Sequence, residues 1–172
     1  MKVWPGYVWI STQAAGKALP ANILRTKAEI AHYVVVRESY NPSLYREQGQ
    51  QVGILSSNQV FGQYQQQQST RTVLSPIHLL KKQGYRRVIV QSVLILSHAN
   101  HHGPIHHNNL AQVNFVVKDY FFGQDKPIRT TPFTALVSWR YLGVPRNPTN
   151  MLFDWDGFVV TRYVVNPVNI GN

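Results

Sequence analysis

Hydrophobic positions recur every three to four residues through the first half of this 172-residue chain and every two residues through much of the second. From Ala21 onward, Ile23, Leu24, Ala28, Ile30, Ala31, Val34 and Val35 fall on one arc of a 3.6-residue wheel, with Arg25, Glu29 and His32 on the other side. This pattern predicts a long amphipathic helix ending near Tyr40. Asn41-Pro42 supplies a stop and a start, because Asn caps well and Pro is tolerated at a first helical position. A second helix is therefore expected from Ser43 to about Leu55, weakened by Gly49 and Gly53. Ser57 caps a third helical piece through Val60, Phe61 and Tyr64 into the glutamine run Gln65 to Gln68. Ser75-Pro76 opens a short fourth that Gly84 closes.

After Gly84 the period changes to two, and four extended segments follow: Arg86 to Ser97, Leu110 to Phe122, Ile128 to Leu142 and Phe158 to Val165. In the second, Val113, Phe115, Val117 and Phe121 alternate with Gln112, Asn114, Lys118 and Tyr120. In the third, Phe133, Ala135, Val137, Trp139 and Tyr141 alternate with Thr134, Ser138 and Arg140. Half-buried antiparallel strands produce this alternation. Helices first and a strand meander afterwards give an α+β fold in which helices cover one face of a curved sheet. With 44% hydrophobic residues the chain can bury one sizeable core, so a single domain is expected over 1–172. Its parts are an extended, aromatic-rich opening segment (1–20), a helical layer (21–84) and the sheet (85–172).

Composition narrows the function classes. Seventeen Lys and Arg against seven Asp and Glu give a formal charge of +10. Such a charge attracts nucleic acid, anionic lipid or an acidic partner, and it also serves plain solubility. The basic residues are dispersed, the nearest pairs being Lys81-Lys82 and Arg86-Arg87, so no dedicated nucleic-acid stripe is present. Cysteine is absent, which removes disulfides, thiolate metal sites and cysteine nucleophiles. Apolar runs are strand-sized, shorter than the roughly 20 residues of a membrane helix, and the first residues lack a signal-peptide core. The chain as given reads as soluble.

Three groups of residues could carry chemistry. His98, His101, His102, His106 and His107 lie between two strands with Gly103 and Pro104, enough imidazoles for a zinc, nickel or copper ion but without acidic ligands or regular spacing. A solvated hairpin tip is the plainer reading. Asp154 and Asp156 could form an acid/base pair, although turn-rich surroundings with Pro145, Pro148 and Gly157 suit turn-closing aspartates better. Glu38 falls inside the apolar arc of the first helix beside Arg37, where it must find a partner or emerge at the helix end. Phosphate loops, nucleophile elbows and His-Glu-x-x-His helices are missing.

A family resemblance enters with more specific residues. Ala28 to Tyr40 (Ala-Glu-Ile-Ala-His-Tyr-Val-Val-Val-Arg-Glu-Ser-Tyr), followed by Val52, Leu55, Ser56-Ser57, Val60-Phe61 and Tyr64, resembles the start of the periplasmic domain of the VirB-eight family. Trp139-Arg140-Tyr141, leading through Pro145 to Gly157-Phe158-Val159-Val160-Thr161-Arg162-Tyr163, is similar to that family's last two strands and their connection. Pro5-Gly6-Tyr7-Val8 is similar to its Pro-Tyr-Val opening. Two departures stand out. The family's Asn-Pro-x-Gly turn is replaced by Asp154-Trp155-Asp156-Gly157, which keeps the glycine. The family also carries a cytoplasmic tail and a membrane helix ahead of this region, so Met1 reads as an added start on an excised piece.

The resemblance implies a fold like nuclear transport factor two: a strongly bent four-stranded antiparallel sheet with helices packed on its concave face. It implies a non-enzymatic scaffold of a bacterial type IV secretion or conjugation system, in the periplasm and anchored in the inner membrane. Expected partners are the chain itself and other secretion subunits, with no cofactor. Tyr33, Arg37, Glu38, Tyr40, Asp154, Asp156, Gly157, Phe158 and Tyr163 are the expected interaction residues. Two other classes remain open. The same cone shape houses isomerase-like enzymes and small-molecule binders, for which Asp119 is the strand carboxylate placed among apolar neighbours. A conjugation module could instead contact translocated DNA, with Arg86 and Arg87 as candidates.

Overall fold

Part of the apolar arc of the first helix, Ile30, Ala31 and Val34, lands on the sheet that the second half of the chain builds, while Leu24 and Ala28 of the same arc stay exposed. The structure, a computed structural model, describes residues 21–97, 109–143, 147–154 and 156–168. The opening segment, His98, His101, His102, His106, His107 and Pro145 lie outside the described residues. Helix α1 (Ala21–Glu38) is followed by α2 (Tyr45–Ile54), α3 (Asn58–Gln67) and α4 (Pro76–Leu80). Strands β1 (Gly84–Ser97), β2 (Asn109–Phe121) and β3 (Arg129–Tyr141) come next, then the one-turn α5 (Pro148–Met151) and β4 (Phe158–Pro167). The strands form one antiparallel sheet in the order β1-β2-β3-β4. The expected α+β architecture is therefore the observed one.

Local chemistry accounts for most boundaries. Ser57 and Ser75 cap α3 and α4, their hydroxyls accepting from the N–H groups of Val60 and His78. Two expectations need correction. Asn41 and Pro42 form a turn ahead of α2, with Asn41 Oδ1 accepting from Ser43 N at 3.0 Å, and the helix starts at Tyr45. The short α4 is stopped by Lys81, held at φ 50°, while Gly84 already belongs to β1. A Cβ at Gly84 would run into the carbonyl of Tyr120, so the close approach of β2 requires glycine there.

Alternation places Ala111, Val113, Phe115, Val117 and Asp119 of β2 on the covered face, with Ala135, Val137 and Trp139 of β3. Ile30, Ala31, Tyr33 and Val34 of α1 pack onto them, and Phe158, Val160 and Tyr163 of β4 close the cluster. Register slips between Val90 and Ser92, between Ile95 and Ser97, and opposite Ser138 and Trp139 bend the strands over the helix, as bulges do. A smaller cluster of Val36, Val52 and Tyr64, with Phe61 against it, ties α1 to α2 and α3.

Candidate functional site

Residues singled out in the sequence converge at the C-terminal end of α1, inside the chain. Arg37 is 1% exposed. Its guanidinium donates to Tyr33 Oη at 3.2 Å, to the Val60 carbonyl at 3.4 Å and to Gln67 Oε1 at 3.0 Å. It lies 4.3 Å from the centroid of the Tyr163 ring and 5.5 Å from that of Tyr64, so aromatic faces offset part of the hydration it loses on burial. Tyr33 Oη pairs in turn with Ser56 Oγ at 2.8 Å. Glu38 stands 3.6 Å from Arg37 Nε and is largely buried, so the helix does not fray before this residue. Burial pushes the Tyr163 hydroxyl well above its ordinary range, with the Glu38 charge adding to the rise and Arg37 opposing it. One guanidinium thus joins α1, α3 and β4.

Tyr33, Arg37, Tyr40, Phe158 and Tyr163 are all buried. Phe158 also borders a cleft beside Asp154. Tyr40 sits apart from the Arg37 group. It bridges to Arg86 of β1, and its hydroxyl donates to the Lys81 carbonyl at 2.6 Å, fastening the end of α1 to the sheet edge.

The other end of α1 has a different character. Arg25 donates to Glu29 at 3.3 Å and to Asp156. Tyr141 Oη donates to Glu29 Oε2 at 2.7 Å and pairs with Thr26 Oγ1 at 3.0 Å. Burial, together with the hydrogen bond that the protonated Glu29 carboxyl donates to neighbouring Asp156, pushes the Glu29 carboxyl up to about 7, against the downward pull of Tyr141 and Arg25. Burial would raise Asp156 too, but its hydrogen bonds to Glu29 and Arg25 prevail and hold it below the usual carboxylate range. The pair acts as one unit in which Glu29 is the carboxyl that keeps a proton.

Asp154 and Asp156 belong to the connection between β3 and β4. The Asp154 N–H donates to the Asn150 carbonyl at 2.8 Å, closing the turn after α5. Asp156 Oδ1 accepts from Phe158 N at 3.1 Å, the turn-forming bond expected of an aspartate there. Gly157 has φ 79°, and a Cβ on it would strike the backbone of Gly143. The bend therefore depends on this glycine. Asp154 lines a cleft of about 520 Å³ together with Arg25, Glu29, Leu55, Asp156 and Phe158. Leu142, Met151, Leu152 and Phe153 of the same connection are exposed, Leu152 by 79%.

The grouping of Arg25, Thr26, Glu29 and Tyr141 has little trace in the sequence. The available signal was the i,i+4 spacing of Arg25 and Glu29. Tyr64 and Gln67, likewise, appeared only as helix positions, although they complete the surroundings of Arg37.

Asp119 is no acid/base residue over an apolar pocket. It is 1% exposed and accepts from Arg86 Nε at 2.7 Å and from Arg129 at 2.6 Å and 3.0 Å, across three strands. Burial alone would raise its carboxyl, yet the hydrogen bonds and charges of Arg86 and Arg129 hold it below its ordinary value. It is a charged staple of the sheet. Arg86 is thereby committed inside the fold and separated from Arg87, which is exposed on the opposite face of β1. Among the described residues no three His, Asp or Glu side chains are placed to hold a metal ion, and no helix is long and apolar enough to cross a membrane.

The arrangement of a helix over a bent four-strand meander is shared with known structures. The structure of Agrobacterium tumefaciens VirB8 protein superposes with a TM-score of 0.76 at 21% identity, over 91% of this chain and 100% of that one. A TrwG component of the type IV secretion system of Bartonella birtlesii gives 0.68 at 19% identity, over 92% and 97%. CagV of Helicobacter pylori, a VirB8 homolog of its type IV secretion system, gives 0.57 at 12% identity, over 83% and 98%. No curated protein sequence matches. The profile of the VirB8 protein family matches residues 6–167, nearly the whole chain. The chain belongs to the VirB8 protein family.

Proposed function

We propose that this chain is the periplasmic scaffold domain of a type IV secretion system, anchored in the inner membrane in its complete form, acting through protein contacts and catalysing no reaction. Family membership carries the reading. The contact surface is assigned to the β3–β4 connection and the N-terminal half of α1, where Leu142, Met151, Leu152 and Phe153 are exposed beside the Asp154 cleft. Grouped exposed apolar side chains with a polar rim are what protein interfaces present. Partners on this reading are other secretion subunits and further copies of the chain. Of the internal residues, Tyr33, Arg37, Glu38, Tyr40 and Tyr163 hold the C-terminal end of α1 to the fold, and Phe158 borders the cleft beside that surface.

The test is complementation. In a strain lacking the corresponding gene, the wild-type chain in its membrane-anchored form restores transfer, and in-membrane crosslinking from Leu152 captures secretion subunits. Restored transfer with Leu152 and Phe153 both changed to Asp would refute the assigned surface, and failure of the wild-type chain to restore transfer would refute the role.

A second contact is favoured by the outer face of the sheet. Arg87, Lys118, Arg140 and Arg162 lie there, and none of the seven carboxylates does. A one-sign surface suits brief contact with translocated DNA. Reversal of Arg87 and Arg162 to Glu is expected to lower DNA transfer while crosslinking to the other subunits persists.

A further inference from the structure

Three of the chain's seven carboxylates, Glu29, Asp154 and Asp156, meet at one cleft, although Lys and Arg outnumber acids seventeen to seven. Two of them are engaged: Glu29 accepts from Tyr141 and Arg25, and Asp156 from Arg25 and the Phe158 N–H. Asp154 is different. It is 4% exposed, and its Oδ1 has no hydrogen-bond partner. A buried carboxylate oxygen left unpaired is costly, and folded chains seldom keep one without a use. Burial raises the Asp154 carboxyl and the nearby Asp156 charge adds to the rise, against the Gly157 and Phe158 N–H groups, so a cation placed here offsets the burial of Asp154.

The surroundings show what kind of group fits. Asp154 lines two adjoining recesses, the cleft of about 520 Å³ and another of about 640 Å³ bordered by Gly53, Ile54, Phe61 and Phe153. Both recesses border α2 and share Phe153 and Asp154, so the acidic side chain lies in a groove beside apolar walls. The cleft already receives one guanidinium, that of Arg25, between Glu29 and Asp156.

We infer that this groove receives an extended segment of a different protein chain, and that Asp154 binds an arginine or lysine side chain of that segment while its apolar neighbours lie against Phe61 and Phe153. Charge complementarity selects the occupant, since the groove concentrates the acids of a basic protein. A two-fold axis through the groove would set Asp154 and Asp156 against their own equivalents, which disfavours a pair of copies centred here and favours a segment of another protein. The inference deepens the scaffold reading above by naming the chemistry of the partner.

The test uses two peptides, acetyl-Phe-Arg-Phe-amide and its citrulline counterpart, titrated into the ¹⁵N-labelled chain. Saturable shifts are expected at the amides of Gly53, Phe61, Phe153 and Asp154, with the citrulline peptide roughly tenfold weaker because it keeps the shape and loses the charge. Asp154→Asn should weaken the arginine peptide by roughly the same factor while retaining a dispersed, native-like spectrum, and Asp125→Asn, in the β2–β3 turn, should leave binding unchanged. Equal binding of the two peptides, wild-type binding by Asp154→Asn, or no saturable shifts would each overturn the inference. A dimer of the wild-type chain that Asp154→Asn dissolves would give the groove to a second copy and overturn the heterologous assignment. None of these results depends on transfer activity, so the groove and the scaffold role can fail separately.

Discussion

The two ends of α1 each hold an arginine against the rest of the chain, by opposite means. At the C-terminal end Arg37 is dry, fixed by two tyrosine faces, a tyrosine hydroxyl, a backbone carbonyl and a glutamine, with one carboxylate, Glu38, 3.6 Å from its Nε. At the N-terminal end Arg25 is 43% exposed and gripped by two carboxylates that belong to different elements. A buried cation surrounded by mostly neutral groups is a fixture, because any loosening leaves it unsolvated. An exposed cation between carboxylates can exchange partners at little cost, since water and salt screen each state. The first arrangement builds the fold, and the second leaves chemistry at the surface.

Arg37→Ala should therefore produce the largest effect. It empties the space between Tyr64 and Tyr163 and strips partners from Tyr33 and Gln67, and it is expected to cost about 2–4 kcal/mol, read as a lower urea midpoint with an unchanged slope. Arg37→Met sharpens the point. If packing against the tyrosines matters more than the charge, methionine should recover more than half of that loss. A methionine variant no better than alanine would show that the hydrogen bonds of the guanidinium dominate.

Next in size is Gly157→Ala, which attacks the exposed end. A left-handed φ of 79° disfavours a side chain, and the added Cβ meets the Gly143 backbone, so the β3–β4 connection must shift. The expected loss is about 2 kcal/mol. Amide shifts should concentrate at Asp156, Arg25 and Tyr141 and spare Arg37 and Tyr163. Shifts spread equally to both ends would mean that the two are coupled through α1 and that the contrast drawn above fails.

The sequence makes the dry end partly readable and the exposed end hardly at all. Strands and helices follow from the period of the apolar positions, since each face is buried or not as a whole. Glu38 lies inside the apolar arc of α1, where a charge has to find a partner, and the structure supplies Arg37 beside it. The ring partners of Arg37 come from residues 27 and 126 positions further along, which no local pattern connects. The Arg25 cluster is harder still. Glu29 lies on the polar side of the wheel, where acids usually meet water, and Asp156 reaches it only because Gly157 turns the β3–β4 connection back toward α1. Asp119 illustrates the same limit: alternation put it on the core face correctly, but cross-strand register, which pairs it with Arg86 and Arg129, decides that it staples three strands.

Smaller than these, but specific to the exposed end, is the response to pH. Glu29 has its carboxyl raised to about 7 from an ordinary value of 4.5, so the folded chain holds a proton that the unfolded chain releases in between. Its contribution to stability is complete below about pH 4.5 and is lost as pH rises toward 7. Asp156, held below its ordinary 3.8, runs the other way and withdraws stability only as the solution becomes more acidic than that. Between about pH 4.5 and 7 the Glu29 trend therefore stands alone within the pair. Glu29→Gln keeps the shape and can still accept from Tyr141, while removing the titration. Unfolding midpoints of this variant should be flatter than wild type across that window, by on the order of 1 kcal/mol or less given partial exposure. Tyr141→Phe should steepen the wild-type trend at its upper end, because the lost hydroxyl is one of the groups pulling the Glu29 carboxyl down. Identical slopes for wild type and Glu29→Gln would remove the shared proton from the account and leave Arg25 as a surface ion pair like any other.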